Sequence, residues 1–172
     1  MIINREWAMP NKWTFTIKPI SELINTYTGS GMLMNGVWVD PFAGMNSPAQ
    51  ITNDINPGMP AKYHLDAIDF CNQLEGKYDG VLFDPPYSFR QVSEHYKAAG
   101  IKATSIDTSA KFFSKIKDAL SDKIKIGGYA ICCGWNSGGF GACRGYKMLE
   151  ILLVAHGGYH NDTIVTVEIK VK

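Results

Sequence analysis

Three short apolar runs in this 172-residue chain each end at an aspartate. Gly36 to Val39 runs into Asp40, Gln50 to Thr52 into Asn53-Asp54, and Tyr78 to Phe83 into Asp84. Runs this short, rich in β-branched and aromatic residues, read as strands buried on both faces. Segments of helical spacing lie between and around them. Ile17 to Tyr27 carries Ile20, Leu23, Ile24 and Tyr27 after Lys18-Pro19, a proline placed where helices start. Leu65 to Leu74 is amphipathic, and Thr108 to Leu120 sets Phe112, Phe113, Ile116 and Leu120 on one face. Further strands are expected at Tyr129 to Cys133, after Gly127-Gly128, and at Leu149 to Ala155 and Thr163 to Val171, with Gly157-Gly158 in the turn between the last two. Strands alternating with helices imply an α/β fold: a single Rossmann-like domain over residues 1–172, its sheet mostly parallel. The short turn before the last strand makes that strand an antiparallel C-terminal addition. Ligands in such folds bind beyond the carboxyl ends of the strands, where Asp40, Asp54 and Asp84 converge.

Length suits one core. The hydrophobic fraction is 45%, and no apolar run approaches the roughly 18 residues of a membrane-spanning helix. Met1 to Lys12 lacks the apolar stretch of a signal peptide, so the cytoplasm is the expected compartment. The four cysteines show no Cys-x-x-Cys or zinc spacing and read as buried, inert thiols, with Cys132 and Cys133 on opposite faces of a strand. A net charge of +1 excludes a bulk polycation. In the middle of the chain, however, Arg90, Lys97, Lys102, Lys111, Lys115, Lys117, Lys123 and Lys125 outnumber Glu94, Asp107, Asp118 and Asp122. That excess is either a phosphate-contacting patch or a solvated helix face.

The chemistry concentrates in Asp84-Pro85-Pro86-Tyr87. Two prolines after a strand end the hydrogen-bond ladder and hold the chain extended, with carbonyls in fixed directions. An exocyclic amine on a nucleobase is a poor nucleophile because its lone pair is delocalised into the ring. The Asp84 carboxylate and the Pro85 carbonyl are suited to accept its two N–H bonds and so localise that lone pair. Tyr87 offers a face on which a base stacks, worth about 1–3 kcal/mol. Asp40-Pro41-Phe42-Ala43-Gly44 supplies a glycine turn that a cofactor can approach closely. Asp54 is placed to accept ribose hydroxyls, and Asp66, before Ala67, to accept an adenine amine or to serve as a charge at a helix N-terminus.

These pieces, in this order, resemble the amino-group methyltransferases of DNA, particularly the small phage- and archaeal-type adenine-specific enzymes. Asp40 to Gly44 is similar to their cofactor motif and Asp84 to Tyr87 to their catalytic motif. The N-terminal stretch with Trp7, Met9, Pro10, Thr14 and Phe15 is similar to the segment that closes over the methionine end of the cofactor. The likeness extends to Ser88–Tyr96, Gly134–Ser137 and His156–Asp162. It implies S-adenosyl-L-methionine as cofactor, held by those N-terminal residues with Asp40, Pro41, Phe42, Ala43, Gly44, Asn53, Asp54, Asp66 and Ala67. It implies methyl transfer to adenine N6 in DNA, with the base flipped out of the duplex, and no metal.

Three features depart from that pattern. Asn46 stands where a further glycine is frequent. Met45 to Gln50, with Pro48 inside, is too short for the usual first helix, so one sheet face is expected to be thinly covered and buried in a homodimer. The chain has no room for a separate target-recognition domain. Ser88 to Thr108, read as a long irregular insertion, and the loop Ser137 to Arg144 are left as candidates for sequence readout, with Arg90, His95 and Lys97 as expected nucleic-acid contacts. RNA adenine is the nearest rival target. Cytosine N4 and protein glutamine fit the aspartate at position 84 less well, and a non-catalytic methyltransferase-like binding subunit is the rival outside the enzymes.

Overall fold

The computed structural model describes residues 1–29, 35–87, 89–98, 100 and 110–172, without the side chains of residues 89, 95, 98 and 110. Among these residues, seven strands form one sheet: β1 Ile2–Trp7, β2 Trp38–Asp40, β3 Ile51–Thr52, β4 Tyr78–Phe83, β5 Ile124–Gly134, β6 Tyr146–Ala155 and β7 Thr163–Lys170. Their order is β1-β6-β7-β5-β4-β2-β3. Every strand is parallel to the others except β7, which lies antiparallel between β5 and β6. The carboxyl ends of six strands therefore share one edge of the sheet.

Alternation along the central strands divides the core in two. Val81, Phe83 and Cys132 face α2 (Ala67–Gln73) and α4 (Ala110–Ser121), packing against Phe70, Cys71, Phe112, Ile116 and Leu120. Leu82, Ile131 and Cys133 face the other way, against Ile20, Leu23 and Ile24 of α1 (Lys18–Thr28). Each fully buried Leu, Ile or Phe side chain contributes about 1.5–3 kcal/mol. Pro19 sits in the first turn of α1, where its missing N–H costs nothing. Asp66 caps α2 by accepting from Ile68 N at 2.9 Å.

The structure corrects the sequence reading in several places. Ile2 to Trp7 forms an edge strand parallel to β6, which the sequence did not reveal. All six residues are exposed, so no burial period marks them. A polar peg seats the strand instead: Asn4 Nδ2 and the Tyr27 hydroxyl donate to the two oxygens of Glu150 at 2.8 and 2.7 Å. β5 begins at Ile124 and runs through Gly127-Gly128. A register shift opposite Tyr78 and Gly80 absorbs these residues. The insertion after the tetrad is not irregular throughout, since Phe89–Ala98 forms α3 with Val92 and Tyr96 turned inward. Apart from Gly100, the rest of that segment, including Ser88, Lys102 and Thr108, lies outside the described residues.

Met45 to Gln50 forms turns and no helix, as its length predicts. The expected thinly covered face is nonetheless closed within one chain. Trp38 is 1% exposed, and α1 with Ala49, Tyr27 and Tyr129 covers its cluster. Cys71, Cys132 and Cys133 are buried, whereas Cys143 is exposed. Among the described residues no helix is long and apolar enough to cross a membrane.

Candidate active site

β2, β3 and β4 end side by side and open into one cleft. Asp40, the last residue of β2, is wholly buried beneath it. Its Oδ1 accepts from Phe42 N at 2.9 Å and its Oδ2 from the Ser47 hydroxyl at 2.6 Å. Burial pushes its pKa up to about 7 against these two hydrogen bonds, and the charges of Asp84 and Asp54 push the same way. Asp40 thus shapes the turn that follows it. At the end of that turn Gly44 has φ +55°, and a Cβ there would meet the Trp13 ring at 3.3 Å. Both requirements select glycine.

Asp54 follows β3 and lines the cleft. Its Oδ2 accepts from Gly44 N and its Oδ1 from Asn56 N, at 2.9 and 2.8 Å. Each carboxylate oxygen keeps a second lone pair for a hydroxyl donor. Asn53 also lines the cleft, and its amide bonds Pro41 O, Leu65 O and Leu65 N. Asp66 stands behind the wall: beside its capping bond it accepts from the Tyr96 hydroxyl at 2.7 Å. Its neighbours Leu65 and Ala67 line the cleft.

The whole tetrad from Asp84 to Tyr87 lines the same cleft. The Tyr87 hydroxyl turns inward and donates to Asp84 Oδ1. Burial raises the pKa of that phenol, the Asp84 charge raises it further, and Thr14 lies within hydrogen-bonding reach. Gln91 of α3 accepts from Tyr87 N at 2.7 Å and fixes the end of the tetrad. Trp135, just beyond β5 and 45% exposed, stands edge-on to the Tyr87 ring at 5.7 Å.

Of the N-terminal residues expected at the cofactor, Thr14 lines the cleft and Phe15 packs into the core beside α1. Trp7, Met9 and Pro10 are not brought to it. Trp7 ends β1 at the far side of the sheet, 64% exposed. Pro41, Phe42 and Gly44 line the cleft, and Ala43 is buried. Of the expected nucleic-acid contacts, Arg90 and Lys97 are exposed on α3, Arg90 pairing with Glu94 at 2.8 Å. The His95 side chain lies outside the described residues. The basic middle of the chain is partly consumed internally: Lys117 donates to Gly139 O, Lys123 to Leu74 O, and Lys125 pairs with Asp79 at 2.7 Å. Sequence reasoning missed Lys12 and Trp13, the α3 residues Gln91, Val92 and Tyr96, and the apolar walls Ile55, Leu65, Phe112 and Phe113. Leu65 and the adjacent phenylalanines carried only a helical spacing, which assigned the phenylalanines to the core, and Gln91, Val92 and Tyr96 only the likeness over Ser88–Tyr96.

No family model and no curated protein matches the chain in sequence. Its fold is similar to that of several solved structures. TrmN from Thermus thermophilus is 13% identical with a TM-score of 0.58, the match covering 90% of this chain and 49% of that one. The N-methyltransferase NodS from Bradyrhizobium japonicum is 8% identical with a TM-score of 0.60, covering 90% and 96%. The 1,6-didemethyltoxoflavin-N1-methyltransferase of Burkholderia thailandensis, solved with S-adenosylhomocysteine, is 10% identical with a TM-score of 0.58, covering 90% and 78%. The chain spans about half the length of TrmN. What it shares with these proteins is a Rossmann-like fold.

Proposed function

We propose that this chain binds S-adenosyl-L-methionine in the cleft and transfers its methyl group to an exocyclic amine, namely adenine N6 in DNA, in the cytoplasm. The observation that carries the reading is that the tetrad and Asp54 line one cleft. The residues fit the cofactor: Asp54 keeps acceptor capacity for ribose hydroxyls, and Ile55, Leu65, Phe112 and Phe113 offer apolar walls for the adenine ring.

The cofactor supplies an activated methyl group on a sulfonium. The chain supplies position. Asp84 accepts one N–H of the target amine, the Pro85 carbonyl accepts the other, and the nitrogen lone pair is left facing the methyl carbon. Bound there, the cofactor would offer its methyl group to that nitrogen, and Asp84 would take the proton the amine sheds. The Tyr87 hydroxyl donates to Oδ1 of the same carboxylate, which when ionised has about four acceptor sites, and the Tyr87 ring is offered to the base. Asp54→Ala should chiefly weaken cofactor binding, by roughly tenfold or more, read by calorimetry with S-adenosylhomocysteine. Unchanged affinity would remove Asp54 from the site. RNA adenine is the second reading, because nothing in the tetrad distinguishes the two sugars. Parallel assays on DNA and RNA oligonucleotides separate the two.

A further inference from the structure

We propose that Trp135 is a stacking platform for the base next to the target, so that the site is built for a polynucleotide strand rather than a free nucleoside. This rests on the amine-methylation reading above. Beyond that reading it rests on one exposed aromatic ring at the rim of the cleft.

Topology brings the ring there. β4 and β5 are parallel neighbours, with Phe83 paired to Cys132, so they end at the same edge of the sheet. Tyr87 lies just past the end of β4 and Trp135 just past the end of β5. The two rings meet with their centroids 5.7 Å apart.

The backbone on both sides of Trp135 is held. Gly134, before it, is paired with Ile164 of β7. After it, Asn136 Oδ1 accepts from Gly138 N at 2.9 Å and closes a turn, and Phe140 N and Gly141 N are tied to Glu168. Yet Trp135 belongs to neither core cluster and is 45% exposed. A fixed, uncovered indole offers a large flat area and loses little conformational entropy when a ligand covers it.

The geometry points to which base covers it. The target base stacks on Tyr87 within the cleft, and Trp135 stands outside the cleft lining. The two ring planes are inclined at 60°, so they cannot sandwich one flat base between them. They offer faces to two different bases. A target that turns out of its stack leaves its neighbour without a stacking partner. Trp135 replaces that partner, and it does so for any neighbour, because every base has a π-face. No charged residue occurs from Trp135 to Gly141, so the contact is stacking and not a grip on phosphate. A small amine held in the cleft needs no such platform outside it.

The test is steady-state methyl transfer to DNA oligonucleotides (RNA, if only RNA takes the label) with the bases beside the target adenine intact or replaced in turn by an abasic sugar. Trp135→Ala should raise the KM for the intact oligonucleotide roughly tenfold or more and keep kcat within about twofold, the loss of one base–aromatic stack. It should bind S-adenosylhomocysteine as the parent does, read by calorimetry. Trp135→Phe should recover most of the lost KM. In the parent, an abasic sugar on one side of the target should cost a similar factor. In Trp135→Ala that same abasic sugar should cost less than about twofold, because the ring that the missing base covered is already gone. An unchanged KM in Trp135→Ala overturns the assignment while the amine-methylation reading stands. So does a rise of equal size on intact and abasic substrates, which would make Trp135 a support for Tyr87. If the unaltered protein methylates adenine in neither DNA nor RNA, the reading itself fails, and this assignment with it.

Discussion

The Tyr87 hydroxyl donates to Asp84 Oδ1, on the carboxylate that is to receive the target amine. A carboxylate oxygen that already accepts from a phenol is a weaker acceptor for a second donor. Tyr87→Phe keeps the ring and removes the competitor. We expect the KM for the polynucleotide to stay level or fall and kcat to stay within about threefold, measured by steady-state kinetics. A loss of kcat of about a hundredfold would show instead that the hydroxyl takes part in the reaction. Asp40 offers a second residue-level prediction. Its folded pKa, about 7, lies above the ordinary aspartate value of 3.8. Below about pH 4 both the folded and the unfolded chain hold the proton. Between about 4 and 7 the unfolded chain releases it first, so stability falls as pH rises and levels off above 7. Asp40→Asn keeps an acceptor for Phe42 N and removes the titration. Its stability relative to the parent should rise by roughly 2 kcal/mol between pH 5 and pH 8 in urea denaturation. An equal pH slope in both proteins would contradict this.

At the scale of elements, the strands that carry Asp40, Asp54 and Asp84 were legible because central parallel strands are apolar on both faces and end abruptly. The course of the segment from residue 8 to 14 was not legible, although the likeness of the N-terminal stretch to a cofactor-closing segment was. Its residues satisfy no period, and its position depends on two anchors, Ala155 and His156, that lie far off in sequence. α3 was missed because its inward residues, Val92 and Tyr96, are few among polar neighbours. The loop after β5, read as a candidate for sequence readout, proves to be built on a buried charge. Glu168 of β7, 1% exposed, accepts from Phe140 N and Gly141 N. Gly139 has φ +51°, and a Cβ there would strike Glu168. Arg144 closes the other end through Asp118 and Ser114. Exposed Trp135, Asn136 and Ser137 are thereby presented from a fixed base beside the tetrad. Glu168→Ala leaves the buried Phe140 N–H and the part-buried Gly141 N–H without their acceptor and should cost about 2–4 kcal/mol in chemical denaturation. A loss below about 0.5 kcal/mol would show that the loop does not depend on this clamp.

For the whole molecule, the fold class, the antiparallel last strand and the position of the cleft all followed from the order of strands and aspartates. The expectation of a homodimer rested on a bare sheet face, and that face is sealed by Trp38, Tyr129 and α1 within one chain. A dimer must therefore use another surface. The outer edge of β1 is where exposed Ile2, Ile3 and Trp7 meet a strand end of the sheet. We expect light scattering to give twice the single-chain mass and Ile3→Lys to halve it. A single-chain mass for the parent would remove the dimer. The central claim concerns the reaction, and labelled methyl transfer from S-adenosylmethionine to an adenine-containing DNA duplex, run on the parent and on Asp84→Ala, tests it most directly. The account predicts label on adenine N6 with the parent and none above background with the variant, although the variant binds S-adenosylhomocysteine within several-fold of the parent. Near-normal transfer by Asp84→Ala, or no label on adenine from a parent that binds the cofactor, would contradict it.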